Sequence, residues 1–280
     1  VAGLVAVTAV AVLAGCTPPT SDGGEVIVTD ERIPEVRAAR AALAEPVPVL
    51  VAEAERLVEA LSELWRTEAP TDERADRAAS LRLQPLQEAL AALDDVQLEG
   101  VGPDVAAAQE VVDAMLDDGR ALERVVADEV ASLTALPAFD GQLEDLLAQW
   151  DARGSYSQQL TAFEETAASA VELAEQAAAR TATPACTGLW ERRSEAARTV
   201  AERTDELRGL IGERRGQEFD ELRDSYRQDP YGLGGLLGEL DAAAAAQCWA
   251  QGSQAPGTVD LLQSRTEELT EVLDPEDLQG

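Results

Sequence analysis

The chain has 280 residues, 54 acidic against 22 basic, for a net charge of -32, with no His, Lys or Asn. That balance argues against nucleic acid, whose phosphates bind through cationic side chains, and against electrostatic adhesion to anionic headgroups. Without His or Lys there is no Ser-His-Asp or Cys-His nucleophile, no imidazole metal site, no Schiff-base lysine and no phosphate-loop lysine.

Residues 1–14 form an uncharged Val/Ala/Leu run that ends in Leu13-Ala14-Gly15-Cys16. It is shorter than the roughly 20 residues a membrane-spanning helix needs, and has the length of a signal-peptide apolar region closed by small residues. The Leu-Ala-Gly-Cys tetrad resembles the lipobox of bacterial lipoproteins. The resemblance implies cleavage before Cys16, a diacylglycerol on its sulfur and a further acyl chain, such as palmitate, on its amine. No basic residue precedes Arg32, which departs from the basic segment that opens such a leader; a segment upstream of Val1 would supply it. Thr17 to Gly24 (TPPTSDGG) reads as flexible tether. The expected layout is a signal peptide over 1–15, a tether over 16–32, an N-terminal helical sub-bundle over 33–136 and a C-terminal one over 137–280.

Beyond the tether the hydrophobic residues recur at helical spacing, and Val26-Ile27-Val28 alone looks strand-like. A short helix is predicted from Ile33 to Ala44 and broken by Glu45-Pro46-Val47-Pro48, since proline removes a donor and restricts its predecessor. Residues 49–66 carry Leu50, Ala54, Leu57, Leu61 and Leu64 on one face. A helix over 72–93 buries Leu83, Leu86 and Leu90, with Pro85 expected to kink it. Residues 104–136 give the clearest pattern: Val105, Ala108, Val112, Met115, Gly119, Leu122, Val126, Glu129, Leu133 and Leu136 at spacings of three and four. That is a heptad seam for an antiparallel neighbour, interrupted by Gly119 and Glu129.

Pro137 to Asp140 is read as a turn between the sub-bundles, followed by a short helix over 142–153 and another over 157–181. Pro184 is expected to open the longest helix, to about Arg227, and further helices cover 236–250 and 258–273. The expected fold is all-α, an elongated antiparallel helical bundle of coiled-coil-like hairpins.

Three cysteines divide as one plus two: with Cys16 lipidated, Cys186 and Cys248 are expected to pair as a disulfide in an oxidising compartment. Cys186 and Trp190 lie one turn apart and Trp249 follows Cys248, which suggests a staple packed between two indoles or, alternatively, a ligand pocket lined by them. Asp94-Asp95 and Asp117-Asp118 lack the alternating oxygens and glycine turn of a calcium loop. Ser194-Glu195 and the acidic run around Glu164-Glu165, Glu172 and Glu175 read as solvated faces. No catalytic, cofactor-binding or metal-binding residue is assigned, and no cofactor is expected.

These readings converge on a non-enzymatic interaction or scaffold lipoprotein, anchored by lipid at the outer face of the cytoplasmic membrane, with a protein partner and no nucleic acid. A ligand- or metal-ion-binding lipoprotein serving an uptake system is the second reading. It calls for a closed cavity lined by Trp150, Trp190 or Trp249. A Glu-dependent enzyme acting on cell-wall glycan is the third, and calls for a buried Glu in a cleft.

Overall fold

The structure, a computed structural model, describes residues 32–67, 73–100, 102–151, 153–183, 186–228 and 242–274. The predicted leader, Cys16 and the tether up to residue 31 lie outside the described residues, as does the glycine-dense stretch within 229–241. The described residues form ten α-helices and one 3₁₀ turn, and contain no strand. The fold is all-α.

The helices are α1 (Arg32–Leu43), α2 (Pro46–Thr67), α3 (Glu73–Asp94), α4 (Pro103–Thr134), α5 (Leu136–Ala148), α6 (Tyr156–Arg180), α7 (Thr187–Gly212), α8 (Gly216–Gln228), α9 (Ala242–Gly252) and α10 (Ala255–Val272). A 3₁₀ turn, Gln149–Asp151, follows α5. None of these helices is long and apolar enough to cross a membrane.

Prolines start helices here more often than they stop them. Pro46 and Pro48 lie in the first turn of α2, where the N–H groups have no helical acceptor to lose. Pro137 does the same for α5, which begins two residues after α4 ends. The predicted turn over Pro137 to Asp140 is therefore the first turn of α5, and Ala135 alone connects the two helices. Pro85 sits inside α3 without ending it. Gly154-Ser155 caps α6: Ser155 takes the Gln158 amide and its own amide donates to the Gln158 side chain at 2.8 Å, a reciprocal capping box.

The expected helix from Pro184 to Arg227 is two helices. The chain breaks at Glu213-Arg214-Arg215, where Arg214 takes φ 60° and the Arg215 amide returns to the Leu210 carbonyl at 2.9 Å. This is the closure that ends a helix through a left-handed residue. The longest helix is α4, at 32 residues, or about 48 Å at 1.5 Å per residue.

Helix packing does not follow a cut at Pro137. Helices α2, α3, α4 and α10 pack in a ring, each on the next, as a four-helix bundle whose fourth member comes from the end of the chain. Helix α1 covers α4 and α2, and α9 packs on α2. A second group, α5 to α8, is built on the α6–α7 hairpin. That hairpin is lined by small residues, Ala170, Ala174 and Ala177 on α6 against Ala196, Ala197 and Val200 on α7. Helices α9 and α10 thus return to the first group.

Every predicted seam position of α4 is buried, from Val105 through Met115, Leu122 and Val126 to Leu133. Val111, Leu116 and Val130 are buried as well, because α4 is flanked on more than one side. Two glycines serve this packing. Gly100, at φ 141°, lies against Glu35, which accepts the Gly102 amide at 3.2 Å, so a side chain there meets both a disfavoured backbone and Glu35. Gly119 faces Leu90 of α3: a Cβ at 119 would stand 2.5 Å from Leu90 Cδ2. Gly119→Val is therefore expected to destabilise by about 1–3 kcal/mol through overpacking. In urea unfolding, Leu90→Ala should cost less in the Gly119→Val background than alone; additive effects would contradict the contact.

Candidate functional site

Cys186 and Cys248 are joined in a disulfide, with Cα atoms 4.9 Å apart across 62 residues of chain. Cys186 is the N-cap residue of α7 and takes the left-handed conformation at φ 66°. Its carbonyl receives the amides of Leu189 and Trp190 at 2.9 and 3.1 Å. Cys248 is half-buried on α9. Because α9 packs on α2, the bond ties the second helix group to the first. A cavity of about 310 Å³ lies beside it, bordered by Thr187, Gly188, Arg192, Gln247 and Gln251.

The indoles beside the two cysteines point into different surroundings. Trp190 donates to Ser132 of α4 at 2.8 Å, meets Phe139 edge-on at 5.7 Å and lies under Arg180 at 5.2 Å. Trp249 donates to Ser62 at 3.2 Å and packs against Trp65 at 6.4 Å. Trp150 donates to Thr204 at 2.9 Å and packs against Tyr226. All three N–H groups are thus satisfied by hydroxyls, buried ones at Ser132 and Thr204 and a half-buried one at Ser62, the usual arrangement for a buried tryptophan. Tyr226 donates to Glu206, and burial together with that carboxylate pushes its hydroxyl up to about 12.

One buried ion pair escaped sequence reasoning. Arg193 is completely buried on α7 and donates two parallel hydrogen bonds to Asp140 of α5, at 2.8 and 2.6 Å. The bidentate geometry is the strong form of this interaction, and a third N–H reaches the Leu189 carbonyl at 3.4 Å. A signal was present: Arg193 lies three residues after Trp190 and four before Ala197, on the inward stripe. Ser194 is also buried and donates to the Ala174 carbonyl at 3.0 Å, which corrects its reading as solvated surface; Glu195 beside it is exposed.

The predicted acidic faces are otherwise as expected. Glu164, Glu165, Glu172 and Glu175 are exposed. Asp94 pairs with Arg120 at 3.2 Å and Asp118 with Arg265 at 3.4 Å. Among the described residues no three His, Cys, Asp or Glu side chains gather in a way that could hold a metal ion.

Glu129, an interruption in the α4 seam, is a buried carboxylate with a structural task. Its two oxygens accept from Ser253 Oγ at 2.6 Å and the Gln254 amide at 2.7 Å, at the corner where α9 passes into α10. Burial raises its pKa, opposed by these two bonds and assisted by Asp128.

A groove runs along the outer side of the α2–α10 pair. Two contiguous hollows of about 180 and 490 Å³ share Pro48, Thr266 and Thr270. The floor is Leu43, Val47, Leu269 and Leu273; Arg40 stands at one end, and Glu55 and Glu267 at the other. The helices are antiparallel, since Gln263 donates to Glu55 at 2.6 Å while Leu269 and Leu273 meet Val47. Thr266 and Thr270 donate to carbonyls of their own helix, at 3.0 and 2.8 Å, so their hydrogen-bonding hydrogens are taken up locally. Compared with known protein families, curated proteins and solved structures, the chain has no significant match.

The Glu129 corner gives a pH prediction. A carboxyl whose folded pKa is raised contributes fully below its unfolded value of about 4.3 and loses that contribution as pH rises through the folded value. The stability of wild type minus that of Glu129→Gln should therefore fall as pH rises from 4 to 7. Glu129→Ala should cost about 1–3 kcal/mol, since it strands two donors. Chemical denaturation across that pH range checks both; a difference that grows with pH would contradict the assignment.

Proposed function

We propose that this chain is a bacterial lipoprotein, held by Cys16 at the outer face of the cytoplasmic membrane. There it works as a non-enzymatic interaction or scaffold component of the cell envelope. Support for the location comes from the lipobox and polar tether, and from the Cys186–Cys248 bond, which suits an oxidising extracytoplasmic space.

The observation that carries the interaction reading is the α2–α10 groove. From Val47 to Glu55 it follows two turns of α2, about 12 Å at 1.5 Å per residue. Its floor is apolar and carboxylates stand at one end. The matching occupant is a basic amphipathic segment of another protein: apolar side chains at helical spacing enter the groove and cationic ones meet Glu55 and Glu267. A body with a net charge of -32 steers such a segment from a distance. The tryptophans that a small-molecule carrier would need around a ligand are instead bonded into the core.

Native mass spectrometry of the full-length protein, released from its membrane in mild detergent, tests both parts of this reading. The expected species begins at Cys16, carries two or three acyl chains and retains a basic polypeptide. Ala52→Arg with Glu267→Arg should weaken retention tenfold or more, a scale ordinary for interfacial charge reversal, and leave the acyl mass unchanged. A lipidated monomer without a companion would sink the scaffold reading and leave the anchor standing.

A further inference from the structure

The two sulfurs of the disulfide stand in unequal surroundings. Cys186 is buried at the N-cap of α7, where the positive end of the helix dipole favours a thiolate. Arg192 borders the same cavity. Cys248 is the more exposed partner, on the opposite wall. The cavity, about 310 Å³ and open to solvent, admits a small thiol. Helix α9 keeps its hold on α2 without the bond, through Trp249 on Ser62 and Trp65.

We propose that Cys186–Cys248 is an exchangeable disulfide that a small dithiol reductant opens through this cavity, with Cys248 as the attacked sulfur and Cys186 as the leaving thiolate. A thiolate of the dithiol bonds to Cys248 Sγ, the S–S bond breaks, and its electron pair departs on Cys186 Sγ. The second thiolate of the dithiol then attacks its own sulfur in the mixed disulfide and releases Cys248. Two electrons and two protons pass from the dithiol, which becomes a disulfide, to the two protein thiols. The lower the pKa of the leaving thiol, the faster this proceeds. Reduction removes the covalent tie between the two helix groups while leaving α9 seated on the four-helix bundle.

The test uses the full oxidised protein and dithiothreitol, with acid-quenched aliquots read by mass spectrometry. Reduction of the folded protein within about a hundredfold of the rate in urea is expected, since access and leaving-group pKa govern the rate. Under limiting mercaptoethanol the trapped adduct should map to Cys248. In the reduced protein, Cys186 should alkylate with a midpoint below the ordinary thiol value of about 8.5. Arg192→Gln, at an exposed position, should slow reduction without moving the melting point of the oxidised protein. Reduction more than a hundredfold slower in the folded state, an adduct on Cys186 or on both sulfurs alike, or a Cys186 midpoint at or above 8.5 would overturn the proposal. So would an unchanged reduction rate in Arg192→Gln.

Discussion

The covalent tie between Cys186 and Cys248 is the constraint around which the two helix groups are arranged. Helices α4 and α5 join the groups through one connecting residue, Ala135. Trp190 joins them again, one turn beyond Cys186, by donating to Ser132 of α4. The disulfide makes a third link, from the start of α7 to α9. Three links set along α4 and α7 resist a relative rotation that one link would allow. In the loop-entropy description a closure of 62 residues is worth about 4 kcal/mol.

The polar groups inside the body hold helix ends and crossings rather than presenting chemistry. Arg193 fastens α7 to α5 through Asp140, and Glu129 fastens α4 to the corner before α10. The Arg193–Asp140 pair contributes little net stability compared with apolar replacements, but breaking one partner is costly, and removing Glu129 strands two donors, so both act on register and on which helix packs where. Most remaining ion pairs are exposed i,i+3 pairs such as Arg66–Glu63 and Arg208–Asp205, each worth a few tenths of a kcal/mol. The excess acidity stays on the surface, where the α2–α10 groove opens.

Local patterning made much of this legible. The α4 seam reads directly from spacings of three and four, and all ten predicted positions are buried, nine on α4 and the tenth, Leu136, at the start of α5. The pairing of Cys186 with Cys248 follows from counting cysteines once Cys16 is set apart. What local pattern does not carry is which helix meets which. Helix α10 has an ordinary amphipathic stripe, and nothing in Val259, Leu262 or Leu269 says that it fills the fourth place beside α4. The break at Arg214 was hidden because the left-handed residue is an arginine, with Gly212 and Gly216 on either side rather than at the position itself. The groove was invisible for the same reason as the ring: it forms between residues about 215 positions apart, a separation no periodicity reports.

The helices group by packing and not by chain order, with α9 and α10 belonging to the bundle of α2, α3 and α4. Native-state hydrogen exchange of the oxidised protein in rising denaturant tests this most directly, because segments that unfold together share one opening free energy and one denaturant dependence. Amides in α10 and α9 are expected to open with those of α2 and α4, and those of α6 and α7 as a unit of their own. If α9 and α10 opened with α6 and α7 instead, apart from α2 and α4, the grouping described here would be wrong.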